Sequence, residues 1–488
     1  MRGTGKDILS GFHPAVRAWF ERRFPDGPTP AQAGGWPHIS AGEHTLIAAP
    51  TGSGKTLAGF LVCIDALYRA AERGESVENT TQVVYVSPLK ALAVDIHQNL
   101  DTPLREIAEI ATRVGMKPPA LRAEVRTGDT TPAARAAMVR RPPNFLVTTP
   151  ESLYLLVTAE RTRALLPSVR TIIVDEIHSV ARDKRGSHLA LTLERVTRLC
   201  ATPPVRIGLS ATQRPIDVIA RLLVGAEPRC AIVDVGHQRD LDIAIELPDE
   251  ELGAVASREQ MADVLDRIAA HVREHKTTIV FVNTRRMSER VAHLLAERLG
   301  DDAVAAHHGS LSKERRVRVE TRLRAGDLRA LVATASLELG IDIGPVELVC
   351  QIASPRSIAT FLQRVGRSGH SRGGTPKGRL YPLTRDELVE CCALLAAVRA
   401  GRLDAVMPPH VPLDILAQQI VAECAAEKWR EDNLLSLFRR AAPFVDLRRE
   451  DFDGIVEMLG DGISTGRGKV GAYLHRDRVN GDVRGRRG

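Results

Sequence analysis

The sequence predicts an α/β protein with two parallel-sheet domains followed by a partial winged-helix domain. Three observations predict it. Short β-rich apolar runs alternate with helical patterns through the first half of the 488 residues. The alternation restarts after the polar, acidic stretch Leu247-Pro248-Asp249-Glu250-Glu251-Leu252. From about residue 405 helical patterns dominate and end in a basic, β-like segment. The expected domains are 1–234, 235–402 and 403–488.

In the first domain the candidate strands are 44–49, 82–87, 121–126, 144–149, 171–175 and 205–209. Each is bounded by turn or helix signals, the pattern of a parallel, doubly wound sheet. Such sheets place ligands just past the carboxyl ends of their strands. In the second domain the strands are expected at 278–282, 303–306, 330–333 and 348–352. The last domain should hold helices over 412–427, 433–441 and 449–459. A hairpin follows, turning at Asn480-Gly481, a strong local turn signal.

Composition bounds the function classes. The formal net charge is +7, which suits a polyanionic partner without establishing one. Seven cysteines contain no C-x-x-C pair, so reduced thiols in a cytosolic protein are expected, with no zinc or iron–sulfur site built on them. The first residues lead into no long apolar run, and no stretch approaches the ~18 uncharged apolar residues of a membrane span.

The chemistry begins at Ala49-Pro50-Thr51-Gly52-Ser53-Gly54-Lys55-Thr56, between an apolar strand and a helical pattern. In that context backbone N–H groups of Thr51, Gly52, Ser53 and Gly54 and a helix N-terminus converge on phosphate oxygens. Lys55 reaches the β- and γ-phosphates of ATP as a point charge, and the Thr56 hydroxyl is offered to Mg²⁺. Ala49 stands where the general pattern has its first glycine. The strand 171–174 ends in Asp175-Glu176-Ile177-His178. There Asp175 would hold Mg²⁺, and Glu176 would orient and deprotonate the attacking water. Gln32 lies seventeen positions before Ala49, and its amide can both donate to and accept from an adenine edge. Ser210-Ala211-Thr212 follows the strand 205–209, and alone is an ordinary turn. Gln363-Arg364-Val365-Gly366-Arg367-Ser368-Gly369-His370 offers arginines suited to charge on a transferring phosphoryl group. His307-His308 is not read as a metal pair, because adjacent residues on a strand point to opposite faces.

The ordered set Gln32, APTGSGKT, SPLKALAVD (87–95), TTPESL (148–153), DEIH, SAT, VATASLELGID and QRVGRSGH resembles a superfamily 2 nucleic-acid helicase. Within it, GWPHI (35–39), DKRGSHLALTLERV (183–196) and the QRVGRSGH ending resemble the large helicase-related (Lhr) family of DEXH ATPases. The resemblance covers roughly residues 12–488 and implies two RecA-like domains, a winged helix and 3′→5′ translocation on single strands. It implies that Gly340, Asp342, Arg364 and Arg367 complete the nucleotide site. It implies that His178, Ser210 and Thr212 couple hydrolysis to domain movement. Backbone phosphates would be met by Pro88, Lys90, Thr148 and Thr149 on the first domain, and by Arg285, Gly309, Ser310 and Thr334 on the second.

Two features depart from the family pattern. His370 replaces the last arginine of its motif and is no permanent cation near pH 7, so the finger role falls mainly on Arg367. Lhr-type proteins extend well past a winged helix, so a fragment or truncated product is expected. The expected function is an ATP- and Mg²⁺-dependent helicase on single-stranded DNA and on DNA or RNA:DNA duplexes. It would serve DNA repair, in the cytoplasm at the nucleoid. The alternatives are an ATP-gated clamp or remodeller that does not unwind, and a non-catalytic nucleic-acid binder.

Overall fold

The computed structural model describes residues 8–50, 52–88, 90–226, 229–236, 240–337, 344–369, 374–465 and 468–486. Thr51, Gly340, Asp342 and His370 therefore lie outside the described residues. The chain divides into two compact units. One comprises the chain up to Ala49, Ser53–Val235 and Ala405–Gly488, and the other is built from Gly236–Asp404.

The first unit is organised by a seven-stranded, all-parallel sheet of β1 (Thr45–Ala48), β2 (Val83–Val86), β3 (Ala123–Arg126), β4 (Phe145–Thr148), β5 (Thr171–Val174), β6 (Val205–Ser210) and β7 (Ala231–Asp234). Their spatial order is β3-β4-β2-β5-β6-β1-β7. The register pairs Ala48 with Ser210 and Val174 with Gly208. Because the strands are parallel, the residues following β1, β5 and β6 emerge at one edge. The second unit has its own parallel sheet of β8 (Asp242–Ile245), β9 (Thr278–Phe281), β10 (Val304–His307), β11 (Ala330–Ala333), β12 (Leu348–Ile352) and β13 (Lys377–Tyr381). Its order is β10-β11-β9-β12-β13-β8.

The strands β7, β8 and β13 escaped the sequence reading for a shared reason. β7 and β8 are edge strands that stay partly exposed, and β13 carries Lys377, Gly378 and Arg379. β13 presents no continuous apolar run, and β7 and β8 carry only the short ones Ala231-Ile232-Val233 and Ile243-Ala244-Ile245.

The C-terminal segment forms the helices Leu413–Ala426, Glu431–Arg439 and Arg449–Asp461. Next come β15 (Ile463–Thr465) and β16 (Gly468–Val470), then β17 (Leu474–Asp477) and β18 (Asp482–Gly485), with Gly481 at φ +66° in the hairpin turn. β18 also pairs with β14 (Trp429–Arg430), so a three-stranded wing closes on the helices. This winged helix shares one hydrophobic core with the first sheet: Leu416, Phe438 and Phe452 belong to the same buried cluster as Leu191, Leu193 and Leu223. Among the described residues no helix is long and apolar enough to cross a membrane.

Candidate functional site

The site in the first unit is built at the shared carboxyl edge of β1, β5 and β6. The loop after β1 turns through Gly52 and Gly54, both left-handed at φ +78° and +77°, and opens the helix Lys55–Glu72. Gly54 is fixed by contact as well as by conformation. A Cβ there would lie 2.6 Å from Gln32 Nε2. No side chain caps the N-terminus of this helix, so its first N–H groups face the loop.

Gln32 braces the loop from behind. It sits at the third position of the helix Pro30–Ser40, in a reciprocal capping box with Thr29. Its Oε1 accepts from Thr29 N at 3.0 Å, and its Nε2 donates to Gly54 O at 3.2 Å. The Thr29 hydroxyl donates to Ser53 O at 2.7 Å. The amide predicted to meet adenine thus also positions the phosphate loop, with one N–H and one lone pair to spare.

The charged groups form a compact buried cluster. Lys55 Nζ stands 3.4 Å from Ala49 O and 3.3 Å from Glu176 Oε1. Glu176 is left-handed at φ +44°, a conformation that costs energy for a non-glycine residue. Its backbone N–H is held by Asp175 Oδ1 at 2.9 Å. Burial, and then the neighbouring Glu176 carboxylate, push the Asp175 carboxyl well above the usual carboxylate range. Two adjacent buried carboxylates answered by one ammonium leave a deficit of positive charge. A divalent cation fits that donor set, with the Thr56 hydroxyl as a further oxygen.

His178 links this cluster to β6. Its Nδ1 accepts from Ala211 N at 3.1 Å and lies 3.2 Å from Ser210 Oγ. A backbone N–H can only donate, so the proton of the neutral ring is on Nε2, which faces Glu176 Oε2 at 3.4 Å. Burial pushes the His178 imidazolium down to about pKa 4, so the ring is neutral at pH 7. Thr212 is buried one residue beyond Ala211.

Neutral burial of His178 has a consequence for stability. Between its ordinary value of 6.5 and about 4, the unfolded chain binds a proton that the folded chain refuses. The stability is complete above pH 6.5 and is lost as pH falls through that window. The cost by pH 5 is on the order of 1–2 kcal/mol. The raised Asp175 carboxyl acts in the opposite sense over the same window, so the check is a difference: between pH 7 and pH 5 the thermal midpoint of His178→Asn should change less unfavourably than that of the unaltered chain.

The sequence reading missed Tyr85. Its hydroxyl lies 2.5 Å from Asp175 Oδ2, and burial drives its own pKa well above 10. A signal was present: a tyrosine in a strand buried on both faces must find its hydroxyl a partner. Tyr85→Phe removes a hydrogen bond to a charged group, worth about 1.5–3 kcal/mol. The half-saturating Mg²⁺ concentration for ATP hydrolysis should rise roughly tenfold, with single-strand affinity unchanged. Equal Mg²⁺ titrations of both proteins would remove Tyr85 from the site.

The remaining predicted residues fall into distinct groups. Arg185 Nη2 donates to Pro88 O at 2.9 Å, and its Nε donates to Glu151 at 2.8 Å. This ties the loop after β2 to the helix after β4. Thr148 is fully buried and its hydroxyl donates to Arg126 O at 2.7 Å, while Thr149 caps the helix Pro150–Thr158. Both hydroxyls thus have internal partners, Thr149 bonding the N–H and hydroxyl of Ser152. Lys90 opens the helix Lys90–Arg113.

In the second unit, Arg285 Nη1 donates to Ser310 Oγ at 2.7 Å, and its Nη2 lies 3.9 Å from where a Gly309 Cβ would stand. Arg285, Gly309 and Ser310 therefore form one exposed patch. Thr334 is mostly buried after β11. Arg364 donates to Gln351 Oε1 and stacks on Phe281, 5.0 Å from the ring centroid. Its guanidinium supports the second unit, and Arg367, three residues on, is also buried. His307 and His308 meet different carboxylates, Glu320 at 3.2 Å and Glu289 at 2.7 Å.

Comparisons with known proteins agree with this arrangement. Residues 29–219 match the DEAD/DEAH box helicase family, 259–372 the helicase conserved C-terminal domain, and 396–480 the winged helix domain of large helicase-related protein. The chain is 43% identical to the Lhr helicase/probable uracil glycosylase of Mycolicibacterium smegmatis, aligning over 100% of this chain and 34% of that protein. It is 42% identical to the ATP-dependent helicase Lhr-Core of Methanothermobacter thermautotrophicus, over 93% of this chain and 53% of that one. The chain thus spans between a third and about half the length of these curated relatives. The solved structure of Mycobacterium smegmatis helicase Lhr bound to ssDNA and AMP-PNP superposes with a TM-score of 0.89 at 44% identity, covering 98% of this chain and 61% of that one. The chain belongs to the large helicase-related (Lhr) family of DEAD/DEAH-box helicases.

Proposed function

We propose that this chain is the motor portion of an Lhr-type helicase. It hydrolyses ATP, translocates 3′→5′ on single-stranded DNA, and unwinds DNA or RNA:DNA duplexes during DNA repair, in the cytoplasm at the nucleoid. The buried Lys55–Glu176–Asp175 cluster at the mouth of the phosphate loop carries the reading. The similar M. smegmatis protein, solved with ssDNA and AMP-PNP, supports it.

The roles follow from chemistry. Backbone N–H groups of Thr51, Gly52, Ser53 and Gly54 receive the phosphates, and Lys55 supplies positive charge to the β- and γ-phosphoryl oxygens. Gln32 reads the adenine edge. Thr56 and Asp175 hold Mg²⁺, which when bound neutralises charge developing on the phosphoryl oxygens. Glu176 accepts the proton of the attacking water. Arg367 supplies a permanent cation to the γ-phosphoryl, and Gly340, Asp342 and Arg364 support that second half of the site. The neutral ring of His178, bonded to Ala211 and Ser210, reports the state of Glu176 to the turn containing Thr212. Pro88, Lys90, Thr148, Thr149, Arg285, Gly309, Ser310 and Thr334 line the path of the strand backbone.

A strand-displacement assay run beside an ATPase assay tests the reading. ATP hydrolysis should rise severalfold or more with single-stranded DNA, and duplexes with a 3′ tail should open while those with a 5′ tail do not. Stimulated hydrolysis without displacement would make the chain an ATP-gated clamp. Equal strand affinity with and without ATP, and no hydrolysis, would make it a passive binder.

A further inference from the structure

We propose that the second unit carries a site for a divalent transition-metal ion, Zn²⁺ or Ni²⁺, formed by His271, Glu274 and His275. His271 and Glu274 lie in the last turn of the helix Arg258–Glu274, and His275 follows as its C-cap residue in extended conformation. One ligating atom from each lies within 4.8 Å of the other two.

The surroundings fix which nitrogen of each ring has a lone pair to give. His275 Nδ1 lies 2.9 Å from His271 O. A carbonyl only accepts, so Nδ1 carries the proton and Nε2 is the donor to a metal. His271 Nε2 lies 2.8 Å from Glu246 Oε1. That carboxylate accepts too, so in the neutral ring the lone pair is on Nδ1, which faces Glu274 Oε2 at 3.8 Å. Glu246 is itself positioned by the Tyr381 hydroxyl at 2.9 Å and by Arg379 Nε at 3.5 Å. A carboxylate or carbonyl behind each imidazole is the outer arrangement that orients metal-bound histidines.

Further chemistry agrees. The last carbonyls of a helix favour a cation at its C-terminal end. Two imidazoles and one carboxylate suit a borderline ion and discriminate against Mg²⁺, which prefers oxygen donors. Metal–nitrogen distances of about 2.0–2.1 Å require the donors to draw together. Glu274, whose side chain is 71% exposed, has the freedom to do so. Glu246 directly follows β8, the edge strand, which pairs only with β13 among the described strands. A bound ion orders the helix end that already meets the sheet edge through His271 and Glu246, and stabilises this unit by mass action.

Isothermal titration of the full, nucleotide-free chain with Ni²⁺, in millimolar Mg²⁺ throughout, tests the site. One Ni²⁺ should bind per chain. His271→Gln, His275→Gln and Glu274→Gln should each weaken it at least tenfold, and Glu246→Gln should weaken it 10–100-fold through the outer contact. Cys392→Ser, at the exposed thiol, should bind as the unaltered chain does. Ni²⁺ should also raise the thermal midpoint of the unaltered chain and leave that of Glu274→Gln unchanged. The solvent-exposed position of Glu274 keeps that variant folded. The proposal is overturned if the unaltered chain binds Ni²⁺ no tighter than about 100 μM, or if Glu274→Gln and His275→Gln bind it as tightly as the unaltered chain.

Discussion

Glu176→Gln should lower the turnover of ATP by roughly 10²–10⁴-fold while leaving nucleotide affinity within a few-fold of the unaltered chain. Glutamine keeps the size and one acceptor of glutamate but cannot take a proton from water. The substitution also removes the anion 3.3 Å from Lys55 Nζ. That ammonium is buried, with only 7% of its side chain exposed, so it should turn more strongly to phosphate, and KM should hold steady or fall. Lys55→Ala should behave differently. It deletes the charge that meets the phosphates in ground and transition states alike, so affinity and turnover should both collapse. Steady-state hydrolysis beside fluorescent-nucleotide binding separates the two patterns. A Glu176→Gln variant turning over within threefold of the unaltered chain would place the base elsewhere.

The sequence exposed this site because its chemistry is local. Lys55 and Thr56 are adjacent in the chain, Asp175 and Glu176 likewise, and each pair ends a strand whose apolar run is unmistakable. Parallel topology then brings them together without further information, since β1 and β5 flank β6 in register. Tyr85 was harder to see because its meaning depends on which strand lies beside it, and β2 meets β5 only in the folded sheet. β13 was hard to see because Lys377, Gly378 and Arg379 interrupt its apolar character, and the edge strands β7 and β8 because their apolar runs are short and only partly buried. The segment 183–196 shows a third case. It was legible as a family signature but silent about its purpose. In the fold Asp183 caps the helix Lys184–Leu199, and Gly186 passes so close to Val180 O that a Cβ would lie at 2.4 Å. Glu194 and Arg195 reach residues more than two hundred positions away.

Those two residues carry the second large expectation: Glu423→Ala should destabilise the chain by about 3–5 kcal/mol. Arg195 has no exposed side-chain surface. Its Nε bonds Glu423 Oε1, its Nη1 donates to Gln419 Oε1 at 2.6 Å, and its Nη2 donates to Thr158 Oγ1 at 3.1 Å. Its guanidinium also lies over the Tyr154 ring, 5.4 Å from the centroid. Glu423 and Gln419 belong to the winged helix, so this buried cation binds it to the first sheet's layer of helices. Removing the carboxylate leaves the buried guanidinium without its counter-ion, and the cost exceeds that of the lost bond. Replacing both partners, as Arg195→Leu with Glu423→Leu, should recover much of the loss, because the fully buried cation leaves with its counter-ion while Arg163 and Arg198 keep Glu427. Urea unfolding of the single and double variants measures the difference as a shift in midpoint at constant slope. A second bridge runs in parallel: Glu194 accepts from Arg206 at 2.8 Å within the first domain and from Arg440 of the winged helix at 2.9 Å. With one fully buried bridge, a second that is half-buried, and a common core, the winged helix and the first sheet should unfold in one transition. Separate transitions in the unaltered chain would show instead that the bridges only align two independently stable bodies.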